Sequence, residues 1–90
     1  MDEISIEILG NSPTNTTHAT IEGDLQEYSA TIEIENFKFE ITKRLFIEHL
    51  EPLIDMSGYI KAENKIFKIL KIKSFSDYME LWLYKIREVN

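Results

Sequence analysis

The chain has 90 residues, no cysteine and a formal net charge of −6, which excludes a disulfide-rich scaffold and a thiolate metal site. Its hydrophobic share of 43% excludes intrinsic disorder, and its length fits one domain, residues 1–90. We expect a cytoplasmic protein that does not enter membranes, because no apolar run reaches the ~18 residues of a membrane helix and the acidic N-terminus does not fit a secretory signal.

The N-terminal part of the chain shows two short alternating runs typical of β-strands. In "EISIEIL" (3–9) three isoleucines fall on one face and polar residues on the other. After a loop with Gly, Pro and small polar residues, "THATIE" (17–22) fits a second strand. The Gly23-Asp24 pair that follows is typical of a turn.

The segment "EYSATIEIENFKFEIT" (27–42) carries the clearest pattern in the chain. Apolar and polar residues alternate over 28–35 and again over 37–42, which predicts two strands. The strands are joined at Glu35-Asn36, and Asn tolerates the left-handed backbone that a tight turn needs. The segment therefore predicts a β-hairpin.

Between residues 43 and 56 the apolar spacing changes from two residues to that of a helix. Six residues recur on one helical face: Leu45, Phe46, His49, Leu50, Leu53 and Ile54. Thr42 fits the N-cap and Gly58 the C-terminal stop. We therefore predict one helix over about 43–56, kinked or ended near Pro52 because proline disrupts a helix interior.

The C-terminal part of the chain offers one strand and one ambiguous segment. Isoleucines within 61–73 favour a strand. Segment 75–89 fits a helix with an apolar seam, but that seam leaves Leu81, Leu83 and Tyr84 outside it. As a strand, 75–89 is apolar on both faces, as a central strand covered on both sides would be. We favour the strand, with a second helix over 75–89 as the alternative.

Together these elements predict an α+β fold. Their order along the chain is roughly β-β-β-β-α-β-β, which fits a mostly antiparallel sheet with one helix on one face. The frequent Ile, Glu and Lys and the rare Ala are typical of AT-rich coding genomes, such as those of low-GC bacteria and their phages.

No residue pattern points to catalysis, so we expect a protein that is not an enzyme and that uses neither metal nor cofactor. His18 and His49 are isolated and lack the spacing of a zinc site. The carboxylates are dispersed along the predicted solvent faces, and no glycine-rich phosphate loop is present.

Charge is divided unevenly along the chain. Residues 1–60 carry three basic against twelve acidic residues, a net charge of −9, and residues 61–90 carry seven basic against four acidic residues, a net charge of +3. Such asymmetry can mark a surface that binds a partner. The simpler interpretation is that the two segments lie side by side in the fold and neutralise one another.

The leading functional hypothesis is a small acidic protein-binding module that contacts an unidentified protein or forms a homodimer. Aromatic and apolar surface left uncovered by a small fold is typical of interfaces. The predicted interface residues come from the last strand: Leu81, Trp82, Leu83 and Tyr84.

Two alternatives follow from the charged residues. A lysine-rich face with one aromatic residue fits single-stranded nucleic acid, although the net negative charge argues against it; its residues are Lys61, Lys65, Phe67, Lys71 and Lys73. Alternatively, the acidic part of the chain imitates phosphates and inhibits a DNA-binding enzyme, which requires Glu33, Glu35 and Glu40 to form a phosphate-spaced row.

Overall fold

The computed structural model describes residues 3–13, 17–56 and 58–89. Its strands, in chain order, are β1 (Ile4–Gly10), β2 (Ala19–Ile34), β3 (Phe37–Ile47), β4 (Tyr59–Ala62), β5 (Lys65–Ser74) and β6 (Met79–Glu88). All neighbouring strands are antiparallel, and the order β1-β2-β3-β6-β5-β4 closes into a barrel because β4 also pairs with β1. Within the described residues, no helix is long and apolar enough to cross a membrane.

The predicted α+β class is wrong, because none of the described residues forms a helix. The helix predicted over 43–56 is instead the end of β3 followed by a loop. Leu45 and Ile47 lie in the barrel interior, whereas Phe46 lies on the outer face and is only half-buried. Because Phe46 is apolar although it faces outwards, the alternation of the strand is interrupted and the segment resembles one face of a helix.

The predicted turn at Gly23-Asp24 is also wrong, because β2 runs without a break through both residues. Gly23 is instead required by packing. A Cβ atom there would lie 2.8 Å from Cδ1 of Leu45 and 3.1 Å from the carbonyl oxygen of Phe46. The two strands expected on either side of this glycine are therefore one strand of 16 residues.

The predicted hairpin at Glu35-Asn36 is confirmed. Ile34 pairs with Phe37, and the φ angles of Glu35 and Asn36 are 50° and 71°. Two consecutive positive φ angles are the signature of a type I′ turn, which matches the twist of the flanking strands. The same dipeptide at Glu63-Asn64, with φ angles of 52° and 61°, joins β4 to β5, whereas the sequence predicted one strand over 61–73.

The C-terminal segment is a strand, as we favoured, and the alternative of a helix over 75–89 is wrong. β6 lies between β3 and β5, which places it at the centre of the sheet. Its inward residues Leu81 and Leu83 are fully buried in the barrel core. Its outward residues Trp82 and Tyr84 are half-buried.

The core fills the interior of the barrel with mostly aliphatic side chains from every strand but β2, whose Ala19, Ile21 and Leu25 pack against it partly buried. Its buried members are Ile6, Ile8, Leu45, Ile47, Ile54, Ile60, Ala62, Phe67, Ile69, Met79, Leu81 and Leu83. Ile54 belongs to the loop between β3 and β4, so this loop packs against the core at one end of the barrel. The small interior is filled by side chains, as expected for a barrel of few strands.

The β2–β3 hairpin extends beyond the barrel wall. β1 pairs with β2 only as far as Gly23, and β6 pairs with β3 only over residues 43–47. Residues 30–41 therefore pair only with each other among the described strands. We call this part of the hairpin the arm.

Candidate interaction surfaces

The predicted interface of Leu81, Trp82, Leu83 and Tyr84 is divided between the two faces of β6. Leu81 and Leu83 line the interior, where no partner reaches them. Trp82 lies on the outer face, where its Nε1 donates a 2.8 Å hydrogen bond to Oε2 of Glu80. Tyr84 lies edge-on against the ring of Phe39, with 5.2 Å between the ring centroids. The four residues therefore do not form one surface.

Trp82 lies between cationic and aromatic side chains from two other strands, β2 and β5. The Nζ atoms of Lys71 and Lys73 lie 4.5 and 4.9 Å from the centroid of its ring. The ring of Tyr28 lies 5.1 Å away, at an angle of 57°. Cations over an indole ring are stabilised by its π-electrons, so much of the tryptophan ring is covered by the protein itself.

Arg44 connects this cluster to the neighbouring strands. Its guanidinium carbon lies 4.7 Å from the ring centroid of Tyr28 and 5.0 Å from that of Phe46. Its Nη1 lies 3.8 Å from Oε2 of Glu80, and its Nε donates a 3.2 Å hydrogen bond to Oε1 of Gln26. We call the surface formed by Arg44, Lys71, Lys73 and Trp82 the cationic wall.

The five residues of the predicted nucleic-acid face are also separated by the fold. Phe67 is 1% exposed and lies in the core, so it is not available to stack on a base. Lys61 lies 3.7 Å from Glu7 across the β1–β4 pair, and Lys65 is half-buried beside the β4–β5 turn. Lys71 and Lys73 do lie together, but the aromatic ring between them is Trp82. Sequence reasoning missed this because Lys71 pairs with Trp82 only after the register shift at Leu70.

A second candidate surface lies at one end of the barrel and consists of residues 48–56 and 75–78. We call it the acidic end. Leu50, Leu53 and Met56 are 51%, 53% and 56% exposed there. Leu50 and Met56 border an open cleft of about 640 Å³ that reaches Ile72 and Met79. Leu50 and Leu53 were predicted to lie on the apolar face of a helix, so their exposure was not expected.

Carboxylates dominate the charge of the acidic end: Glu51 and Asp55 line the cleft, and Glu48 and Asp77 line a second pocket. Residues 48–56 and 75–78 contain four carboxylates and neither lysine nor arginine: Glu48, Glu51, Asp55 and Asp77. His49 lies 3.4 Å from Glu51, the only one of the four with an ion pair among the described residues. Beside the cleft, the rings of Phe75 and Tyr78 are stacked at 4.4 Å. The acidic end therefore combines exposed apolar groups with an anionic rim.

The remaining candidates show no assembled chemistry. Within the described ranges, no group of three or more histidines and carboxylates is placed to hold a metal ion. Glu33, Glu35 and Glu40 all lie on the arm or its turn, but Lys38 pairs with Glu33 across the strands and interrupts the row of carboxylates.

The comparisons with known proteins give no family for this chain. No protein-family model matches it, and no curated protein matches its sequence. Its function is therefore inferred from the geometry and charge of the acidic end and the cationic wall.

Proposed function

We propose that this domain is a non-enzymatic, cytoplasmic protein-binding module and that the acidic end is its docking surface. The observation that carries the proposal is the exposure of Leu50, Leu53 and Met56, each more than half exposed, within seven residues of chain. Soluble monomers rarely expose contiguous apolar surface unless it binds something. The cleft beside these residues provides the concave, apolar centre that an interface needs.

The anionic rim indicates which kind of partner fits. Carboxylates around an apolar centre complement a protein segment that carries apolar anchors flanked by lysine or arginine. A second copy of the same end would bring Glu48, Asp55 and Asp77 against their own counterparts, and such like-charge contacts are costly. The partner of this surface is therefore a different, basic protein segment.

The test uses a short amphipathic peptide with leucine anchors and lysine flanks, and a twin peptide with glutamates in place of the lysines. We expect the lysine peptide to bind and to shift the NMR amide signals of residues 48–56 and 75–78. Replacing Leu50, Leu53 and Met56 together by serine should weaken binding by at least about tenfold, because the apolar anchors lose their contacts. The exposed positions of these residues should leave the thermal stability of the domain nearly unchanged.

The matched control is the Lys71→Ser/Lys73→Ser variant, which alters another surface and should bind the peptide as the unchanged protein does. Affinity should also fall with added salt, because the rim contributes by charge. Equal binding of the two peptides, or full binding by the triple serine variant, would contradict the proposal.

A second function is favoured by one observation on the cationic wall. The ammonium groups of Lys71 and Lys73 lie against the same indole ring. Neither forms an ion pair with a carboxylate in the part of the chain that the structure describes. Phosphates of single-stranded nucleic acid would neutralise both ammonium groups.

For this second function we expect the Lys71→Ser/Lys73→Ser variant to lose oligonucleotide binding. Fluorescence anisotropy with labelled single-stranded DNA and RNA at low salt measures it, and the affinity of the unchanged protein should fall steeply as salt is added. Glu22→Lys, an exposed change on β2, is the control and should not reduce binding. No binding at low salt would rule this function out.

A further inference from the structure

The edge of β3 within the arm is open. β6 covers β3 only over residues 43–47, and residues 37–41 have β2 as their only described partner strand. In the barrel wall each strand has two neighbours, although residues 70–74 of β5 pair only with β6 and residues 84–88 of β6 pair only with β5. An open strand edge presents unpaired N–H and C=O groups, which readily pair with a strand of another chain.

The arm also exposes apolar side chains. Phe37 is 69% exposed, the largest exposed fraction among the large hydrophobic residues described, and Ile34 opposite it is 38% exposed. Ile32 and Phe39 form the next cross-strand pair and are half-buried. These side chains lie on one face, while Lys38 and Glu40 lie on the other. Tyr84 covers part of Phe39, but Ile34 and Phe37 leave exposed apolar surface beside the open edge.

The sequence of this edge is complementary to itself in one register. When two copies of β3 pair antiparallel with Phe39 opposite Phe39, Lys38 of each copy lies opposite Glu40 of the other. Phe37 then lies opposite Ile41, so apolar residues also pair with apolar residues. Shifting the centre to residue 38 places lysine opposite lysine, and shifting it to residue 40 places glutamate opposite glutamate. Charge complementarity therefore selects the register centred on Phe39.

We propose that two copies of this chain form a dimer by antiparallel pairing of their β3 edges, centred on Phe39. The contact is isologous, since each copy contributes the same segment and the two-fold axis passes between the two Phe39 residues. It joins the two arms into one four-stranded ribbon of order β2-β3-β3-β2. Main-chain hydrogen bonds supply the affinity, and the two Lys38–Glu40 pairs fix the register.

This dimer does not depend on the proposed function of the acidic end. The acidic end consists of residues 48–56 and 75–78, and the arm consists of residues 30–41, so the two surfaces share no residue. A dimer through the arms leaves both copies of the acidic end free to bind a partner. The two proposals can therefore fail separately.

The test is a charge exchange followed by sedimentation equilibrium over a range of protein concentrations. Lys38→Glu places glutamate opposite glutamate in the dimer, and Glu40→Lys places lysine opposite lysine. Each single change should raise the dimer dissociation constant by about tenfold or more, because both symmetric pairs become repulsive. The double variant Lys38→Glu/Glu40→Lys restores opposite charges at both places and should restore the dimer.

The double variant also controls for damage within one chain. Lys38 pairs with Glu33 across the hairpin, and Thr31 Oγ1 donates hydrogen bonds of 3.5 and 3.4 Å to the Glu40 carboxylate. Both single changes disturb these contacts, but so does the double variant. Recovery of the dimer in the double variant therefore comes from the contact between copies. Glu22→Lys, which changes the net charge as Glu40→Lys does, should leave the dissociation constant unchanged.

Three results would overturn the proposal. The first is a monomer at all concentrations of the unchanged protein. The second is a dimer that none of the charge exchanges weakens. The third is a dimer that is lost when Leu50, Leu53 and Met56 are replaced by serine, which would place the contact at the acidic end instead.

Discussion

Replacing Leu81 by alanine is expected to lower the free energy of unfolding by about 3 kcal/mol. Leu81 is 0% exposed and lies between Leu45 of β3 and Ile72 of β5. Removing its branched side chain leaves a cavity between strands that hydrogen bonds hold in place, so the wall cannot close around the gap. Urea denaturation followed by tryptophan fluorescence measures the change as a lower transition midpoint with an unchanged slope.

The same change at Leu53 is the matched control. Leu53 is 53% exposed, so Leu53→Ala removes the same atoms from a surface position and should cost less than about 0.5 kcal/mol. Because a domain of this size is stabilised by only about 5–10 kcal/mol, the loss at Leu81 should also be visible as partial unfolding under mild heating. Equal effects at the two positions would contradict the burial of Leu81 in the barrel.

Replacing Arg44 by alanine is expected to lower the free energy of unfolding by about 2 kcal/mol. The side chain of Glu80 is only 10% exposed, and Arg44 is the cation that lies beside it, at 3.8 Å. Without Arg44 this carboxylate keeps the hydrogen bond from Trp82 but loses its counter-charge. The rings of Tyr28 and Phe46 lose the guanidinium that lies over them as well.

Two further variants separate packing from charge. Arg44→Met keeps an apolar stem between the rings but removes the charge, so it should cost less than alanine if packing matters. Combining Arg44→Met with Glu80→Gln removes the uncompensated carboxylate while an amide oxygen still accepts the hydrogen bond from Trp82. We expect the double variant to be more stable than the sum of the single losses by at least about 1 kcal/mol. Strict additivity would show that the ion pair contributes nothing.

Part of the fold could be predicted from local patterns because those patterns coincide with barrel geometry. Ile4, Ile6 and Ile8 all face the core or its margin, as their alternation predicts. The hairpin at Glu35-Asn36 was predictable because a tight turn and two alternating runs depend only on neighbouring residues. Both features are set by local stereochemistry, with no need to know which strands meet across the barrel.

Other elements depend on partners that are distant in the chain. The outer face at Phe46 is covered by Arg44 and by Tyr78, whose ring centroid lies 6.4 Å away, so an apolar residue is tolerated outside the barrel. This apolar residue on the outer face made the sequence of β3 resemble that of a helix. The β4–β5 turn was missed, although it has the same Glu-Asn dipeptide as the predicted hairpin, because β4 has only 4 residues and shows too short an alternating run. Only the pairing with β1 and β5 identifies β4 as a strand.

The candidate surfaces were less predictable than the fold. Leu50 and Leu53 were expected on the apolar face of a helix, because the sequence does not show which apolar residues a small core can accommodate. Trp82 was singled out from the sequence, but its ring neighbours come from β2 and β5, and its register partner in β3 is Arg44. Only the register across four strands shows that lysines cover its ring.

The strand order divides the barrel into two meanders, β1-β2-β3 and β4-β5-β6, joined through the β3–β4 connection. They meet along two seams, and each seam carries an ion pair between the meanders: Glu7 with Lys61, which follows the charge asymmetry of the chain, and Arg44 with Glu80, which has the opposite polarity. The acidic and basic parts of the sequence nearly coincide with these meanders. The uneven charge of the chain therefore favours association of the two meanders. Their contacts form late in folding, because local hairpins form before contacts between residues far apart in the chain.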